Sequence, residues 1–577
     1  MLMKKTNKFL MIVALLLFSA ATFAQSVTTA GITGKVSDIN GEALVGATVI
    51  VVEESTGTQY GTISDVKGYY HIPNMNVGGP YKITFSYIGF QPFEKDNIYL
   101  TLGQTLRINN TLSETALELE GVEIIALKND IFDGNRTGAE TVVSTDEIQE
   151  MPTLNRSLAD YVKLTPQASI TGGGGISIAG MNNRYNTISI DGAVNNDVFG
   201  LAASGTNGGQ TGGTAISMDA IDEFQIVLAP YDVKQGGFAG ASINAVTRRG
   251  SNNFDGSAYF LYRNQNFAGK TPGKIEVDER TKLEDFTAKT YGLRVGGPII
   301  KNKLFFFLSA EFQRDETPQP YNLSDYMGDS DLAGLNSLTN KIKSYGYDPG
   351  SFLDKTVKLN SDKLLARLDW NISKHHKLML RHSYVKSTVT DPYRSSTTSI
   401  YFSNYGESFP STTNSFAAEL KSNWNRFSNS LIVGYTTVRD NRDPIGDKFP
   451  TVRVYDGQGT IYFGSEPYST GNQLDQDILT INENFTLYKG AHTVTFGATG
   501  ELSKTYNLFM RKAFGEYRYG SIEDFLNNAD VSAIQYERGY SLVDNIVGDG
   551  SAAAADFRTL KVGFHVQDEW LISYNLK

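Results

Sequence analysis

The sequence predicts a mainly β protein: an N-terminal β-sandwich, a small α+β domain, and then an antiparallel β-barrel that crosses a membrane. Three observations carry this prediction. From residue 253 onward ten segments alternate apolar and polar residues, each near the ~9–11 residues that a tilted outer-membrane strand needs. The gaps between them alternate strictly between long and short, as expected when brief turns lie on one side of a membrane and extended loops on the other. The composition is rich in glycine (56) and aromatics (11%) and has no cysteine. Strand-rich structure fits that profile, whereas disulfides, thiolate metal sites and a cysteine nucleophile are excluded by it. The balance of 52 Lys+Arg against 62 Asp+Glu, net −10, leaves no basic footprint for nucleic acid.

Residues 1–24 read as a secretory signal. Lys4, Lys5 and Lys8 make a basic start, Phe9 to Phe18 is apolar, and Thr22-Phe23-Ala24 offers a small-residue cleavage site. That apolar run is too short to span a hydrocarbon core as a helix, which takes about 20 residues. No later segment is long enough either, so any membrane span must be a barrel.

Residues 27–113 carry short β-branched runs at 32–36, 47–52, 69–72, 81–88 and 105–109, separated by turns such as Asp38-Ile39-Asn40-Gly41 and Asp65-Val66-Lys67-Gly68. The stretches GKVSDINGEALVGATVIV (34–51) and SDVKGYYHIP (64–73) resemble the carboxypeptidase regulatory-like domain found ahead of many outer-membrane receptors. No peptidase is expected here. The sole histidine is His71, and a zinc protease needs two or three nitrogen ligands.

Residues 114–129 form an acidic, β-branched linker. Its centre, Leu119, Glu120, Gly121, Val122, Glu123, Ile124, Ile125 and Ala126, resembles a TonB box, a strand that adds itself to the sheet edge of TonB through main-chain hydrogen bonds. The alternative is an ordinary linker or a last sandwich strand.

Residues 130–252 read as a compact α+β segment. Ser144 and Glu147 form a capping box, Asn155 or Ser157 caps a second helix through Lys163, and strands follow at 176–179, 187–190, 224–228 and 242–247. The stretches SIAGMNNRYNTISIDGAVNNDVFGL (177–201) and AISMDAIDEFQIVLAPYDVKQGGFAGASINAVTRRGSNNFDGSAYFLYRNQN (215–266) resemble the plug of TonB-dependent receptors, with the Oar-like subgroup the nearer match.

The alternating segments are 254–267, 287–297, 303–315, 363–373, 377–387, 414–425, 428–440, 478–488, 491–505 and 560–572. Leu364, Ala366, Leu368 and Trp370, for example, interleave with Leu365, Arg367, Asp369 and Asn371. A barrel surrounding a plug needs ~22 strands. Ten are visible, so further strands are expected downstream of Lys577, an expectation that a stop codon there would refute.

No catalytic residue, cofactor or metal site is expected. His375-His376 falls in a short turn. Gly172 to Gly175 and Gly205 to Gly213 lack the Lys of a phosphate loop. Asp191-Gly192 and Asn195-Asn196-Asp197 miss the spacing of a calcium loop and read as turns. Arg184, Arg248 and Arg249 are expected to pair with lumen-facing barrel acids such as Glu311 or Glu419, the alternative being surface arginines in loops. The resemblance implies an outer-membrane importer of a large or scarce nutrient, with the sandwich in the periplasm and the long loops outside. Its implied partners are TonB with its proton-driven inner-membrane complex, outer-membrane lipid, an extracellular substrate, and a surface lipoprotein. The competing reading is an adhesion or envelope-structural protein whose barrel is only an anchor.

Overall fold

The structure, a computed structural model, describes residues 27–114, 139–171, 174–270, 280, 282–543, 551–572 and 576. The expected signal at 1–24, the segment 119–126 and residues 172–173 of the first glycine run lie outside the described residues.

The N-terminal domain is two sheets packed face to face. One joins Tyr69–Met75 to Ala30–Asp38, with Thr105–Arg107 and Asn110–Leu112 running parallel to Ala30–Asp38 on its other side. The second runs in the order Thr58–Ile63, Thr48–Glu53, Gly78–Ser86, Phe93–Leu100, all antiparallel. Inward alternation buries Ile32, Val49, Val51, Tyr70, Ile72, Tyr81, Ile83 and Phe85 between them. Two of these strands escape the sequence reading. In Thr58–Ile63 and Phe93–Leu100 polar residues and Gly61 or Asn97 interrupt any β-branched run, and pairing with neighbours decides the conformation.

The second domain opens with helix α1 (Thr145–Glu150), where Ser144 and Glu147 form the reciprocal cap, and α2 (Leu158–Val162), where the Asp160 carboxylate accepts from the Ser157 N–H and hydroxyl. Its sheet runs Ala193–Val194, Thr187–Ile190, Ser242–Thr247, Ile221–Val227, Glu140–Val143, with only the Thr187–Ile190 and Ser242–Thr247 pair parallel. Asp191 (φ 47°) and Gly192 (φ 76°) form the tight turn after Thr187–Ile190, left-handed at both positions as an Asp-Gly hairpin turn requires.

Ten long strands make the wall: β1 (Asp255–Asn264), β2 (Thr287–Ile300), β3 (Leu304–Gln319), β4 (Lys355–Asn371), β5 (His376–Pro392), β6 (Gly406–Asn423), β7 (Phe427–Asn441), β8 (Gln473–Lys489), β9 (His492–Leu508) and β10 (Ala555–Trp570). Each is antiparallel to the next. They correspond to the ten alternating segments. Most are lengthened toward the long loops, as where β4 begins at Lys355 and β8 at Gln473, whereas β1 stops at Asn264, short of the expected 267. Those extensions are mostly polar, with only scattered apolar residues such as Leu359 and Leu474, so they give too little alternation to read. Among the described residues β1 pairs only with β2 and β10 only with β9, so the wall is an open arc.

The two faces differ as a membrane demands. Leu364, Leu368, Leu380, Phe416, Ile481, Leu502, Phe564 and Val566 point outward and are exposed, while Lys363, Arg367, Arg381, Glu419, Thr480 and Asn482 point inward and are buried. All three tryptophans, Trp370, Trp424 and Trp570, sit at the short-turn end, where an indole suits the membrane–water boundary. Among the described residues no helix is long and apolar enough to cross a membrane.

The long connections beyond β3 fold into one cap. A sheet ordered Ser399–Tyr401, Gly459–Phe463, Thr451–Asp456, Glu516–Tyr519, Gln535–Glu537 packs with helices α3 (Leu332–Ser344) and α4 (Ile522–Asn528). Leu335, Leu338, Ile342, Phe402, Val454, Phe463 and Phe525 form its core.

Candidate functional site

The α+β domain fills the concave side of the arc, and the two share a core. Phe307 of β3 and Leu365 of β4 pack with Phe224, Ile226 and Ile243. A second, smaller patch joins Ala193 to Met379 of β5 and Ala417 of β6, and around these patches the contact is polar and charged. The Asp191-Gly192 turn carries its carboxylate into the wall. Asp191 accepts from the Thr247 N–H (2.9 Å) and hydroxyl (2.8 Å), lies 3.2 Å from an Arg367 guanidinium nitrogen, and lies 3.1 Å from Arg381 Nε. Asp369, two residues along β4, holds the other edge of Arg367 in a two-point pair at 2.9 and 2.8 Å. A second pair joins Asp219 to Arg294 of β2 at 3.2 Å, with Ser257 of β1 donating to the same carboxylate.

The charge order expected from the sequence is therefore reversed: this domain supplies acids and the wall supplies arginines. Glu311 accepts from Lys363 on the neighbouring strand (2.7 Å), from Tyr259 and from Ser217 of the inner domain (2.8 Å). Glu419 pairs with Lys421, two residues along the same inward face (3.2 Å), and accepts from Thr28 of the sandwich. Both acids are occupied within the wall, so neither meets the three arginines. Arg184 instead donates to the Gly200 carbonyl at 2.7 Å inside its own domain. Arg248 is half-buried, faces Asp222, Asp219, Asp255 and Arg294, and has its pKa lowered by that burial. Arg249 turns toward the sandwich, where it pairs with Glu53 and donates to the Val77 carbonyl at 2.9 Å. Burial works against the Arg249 charge, but the adjacent Glu53 carboxylate outweighs it and raises its pKa.

The inward alternation of Arg367 and Arg381 was the available signal for the true pairs. What sequence could not show is which inward residue faces which. The 205–213 glycine run lies against the wall, where Gly208 and Gly213 leave room for the Ser411 and Ser387 side chains and Gln210 accepts from Arg442 at 2.7 Å. His71 is a strand residue whose ring stacks on Tyr488 of β8, and His375 and His376 lie beside Trp424 near the short turns. Among the described residues no three His, Cys, Asp or Glu gather as a metal site.

A barrel wall with greasy outside and wet inside, filled by a separately folded domain, defines a plugged outer-membrane receptor. The chain belongs to the TonB-dependent receptors: the family models for the outer membrane beta barrel domain (246–350 and 331–577), the TonB-dependent receptor plug domain (134–243) and the carboxypeptidase regulatory-like domain (31–113) match it. It is similar to the TonB-dependent transporter Oar of Myxococcus xanthus, 31% identical over 314 residues, covering 51% of this chain and 27% of that one. It is also similar to the TonB-dependent receptor SusC of Bacteroides thetaiotaomicron, 32% identical over 161 residues, covering 26% and 14%. The fold resembles the outer membrane transporter YddB from Escherichia coli, with a TM-score of 0.52 at 15% identity over 75% of this chain and 54% of that one. The aligned part thus spans about a quarter or less of the curated relatives. The α+β domain is the plug, the short turns face the periplasm and the cap lies outside the cell.

Proposed function

We propose that this chain belongs to a TonB-dependent importer of a large or scarce nutrient in the outer membrane. The observation that supports it is the plug–wall contact. A domain held mainly by ion pairs and hydroxyl contacts around two small apolar patches is seated firmly yet can part from the wall and rehydrate. An anchor for adhesion has no use for such a plug. Substrate binds the cap and the outer plug surface, TonB takes the 119–126 strand by main-chain pairing, and the inner-membrane proton gradient pulls part of the plug aside. No covalent chemistry is required of the chain, so it is not an enzyme on this reading.

Val122→Pro tests the coupling. Proline removes one N–H from the pairing strand. Binding of a purified periplasmic TonB fragment to the whole receptor is expected to fall about tenfold, the loss of roughly one main-chain hydrogen bond. Unchanged binding refutes the assignment of 119–126.

A further inference from the structure

We propose that the N-terminal sandwich is a second gate, which closes the periplasmic mouth beneath the plug and has to swing out before any part of the plug can leave.

The contacts place it across the mouth rather than beside it. Within the described arc the wall has four short hairpins, at 301–303, 372–375, 424–426 and 490–491. The sandwich touches the residues flanking or forming every one. Gly57 packs on Asn302, so closely that an added Cβ would fall 2.2 Å from Asn302 Oδ1. Asn371 donates to Thr58 Oγ1 at 2.9 Å. Asn74 donates to Asn423 Oδ1 at 2.9 Å, and Asn423 donates back to the Pro73 carbonyl at 3.0 Å. His71 lies over Tyr488 with ring centres 4.9 Å apart, next to Gly490. The same end of the sandwich also meets the plug. Leu102 N–H donates to Glu223, Gln225 donates to the Leu102 carbonyl at 3.2 Å, and Glu53 pairs with Arg249. A domain that bridges four hairpins and the underside of the plug occupies the exit.

The interface is built to part. The sandwich core draws on no residue outside the domain, so the domain leaves intact. By contrast, the plug core includes Phe307 and Leu365 of the wall. The one aliphatic cluster at the junction among the described residues is small: Val27, Val77, Leu102 and Val246. The rest is ring stacking, amide and hydroxyl contact and charged groups: Glu53 against Arg249, Lys377 lying 3.9 Å from the centre of the Tyr60 ring, Glu223 accepting from the Leu102 N–H and Glu419 accepting from Thr28. Such charges return to water when the surfaces separate, which offsets part of the cost of parting them. The sandwich remains attached meanwhile, because residues 114–138 join it to the plug.

Residues 1–577 hold no cysteine, so a Thr58→Cys/Asn371→Cys pair is introduced into the receptor with any cysteine outside them replaced by serine. The whole receptor carrying the pair is bridged with a short bis-methanethiosulfonate in outer-membrane vesicles. It is then placed in planar bilayers, where potassium chloride conductance is read in a urea series. At the urea concentration where the unmodified receptor opens, the bridged receptor is expected to open about tenfold less often, and dithiothreitol to restore opening. Glu53→Gln and Lys377→Ala are expected to open at lower urea. Equal opening of bridged and reduced receptors overturns the gate, and failure of the thiols to bridge overturns the docked position. Neither TonB nor cargo is present in the bilayer. A failure of the importer reading would therefore leave this result untouched, and the two failures are distinguishable.

Discussion

Asp191 of the plug and Arg381 of β5 lie 3.1 Å apart with both side chains about 1% exposed, an ion pair sealed between two domains. Arg381 Nε has no aligned hydrogen bond there, so the contact is one of charge, and its terminal nitrogen donates to the Ile190 carbonyl at 3.2 Å. Asp191→Asn keeps the shape and removes the charge that two guanidinium groups face. Leaving buried charge uncompensated costs about 3–5 kcal/mol. The plug of the variant is expected to lose its seat at markedly lower urea, read by protease cleavage within 187–247, while heat-modified gel mobility shows the barrel intact.

Gly192 sets the depth of that contact. Its φ of 76° disfavours any side chain, and an added Cβ would fall 2.7 Å from Ile432 Cδ1 on β7. Gly192→Ala is expected to cost about 1–2 kcal/mol from the backbone alone, with the Ile432 contact adding to it. Ile432→Ala in the same chain should recover the contact part but not the backbone part, a comparison that urea titration reads directly.

Docking of the sandwich should depend on pH through His71. Burial against Tyr488 lowers its pKa from 6.5, while the Gly490 carbonyl, Asp65 and Glu569 pull it partly back. The docked state therefore binds its proton less readily than the free state. Docking is undiminished above pH about 6.5 and weakens as pH falls from there toward the lower docked value. Hydrogen exchange of the Tyr69–Met75 strand is expected to quicken on acidification, and His71→Gln to flatten that dependence.

The cap should fail at a lower pH, for the opposite reason. Glu516 has a 1% exposed side chain and lies 2.5 Å from Lys512 and 3.3 Å from Arg453 and Arg518. Burial alone would raise its pKa, but the Lys512 and Arg518 hydrogen bonds and the Arg453 charge outweigh it, and the net direction is down from 4.5. Its contribution is present above about pH 4.5 and is lost as pH falls through the depressed value. Limited proteolysis at 509–540 is expected to show this loss in the native receptor and its absence in Glu516→Gln, which should be less stable at neutral pH because it leaves buried cations unpaired.

The ten wall strands were legible because lipid and water impose a two-residue period on every segment that separates them. Capping of α1 and the Asp191-Gly192 turn were legible because Ser, Glu, Asp and Gly act there on backbone within a few residues. Thr58–Ile63, Phe93–Leu100 and the cap sheet were not. The first two pair with the strand just before them but carry no β-branched run of their own, and the cap sheet joins segments distant in the chain, as where Thr451–Asp456 runs parallel to Glu516–Tyr519. The arginine pairings failed for a related reason. Arg249 follows Arg248 directly, yet one faces Asp219 and Asp222 and the other faces Glu53, because neighbours on an extended chain point to opposite sides.

Local chemistry thus determined, unaided, that this chain builds a two-faced wall and carries a capped, glycine-rich domain to put inside it. Only the folded molecule decided that acids of the plug meet arginines of the wall, that the long loops make one cap, and that the sandwich lies across the exit. Periodicity and capping act over a few residues and are written in order along the chain. Ion pairing and docking act across space between groups hundreds of residues apart, such as Thr28 and Glu419, and one sequence does not record which distant residues come together.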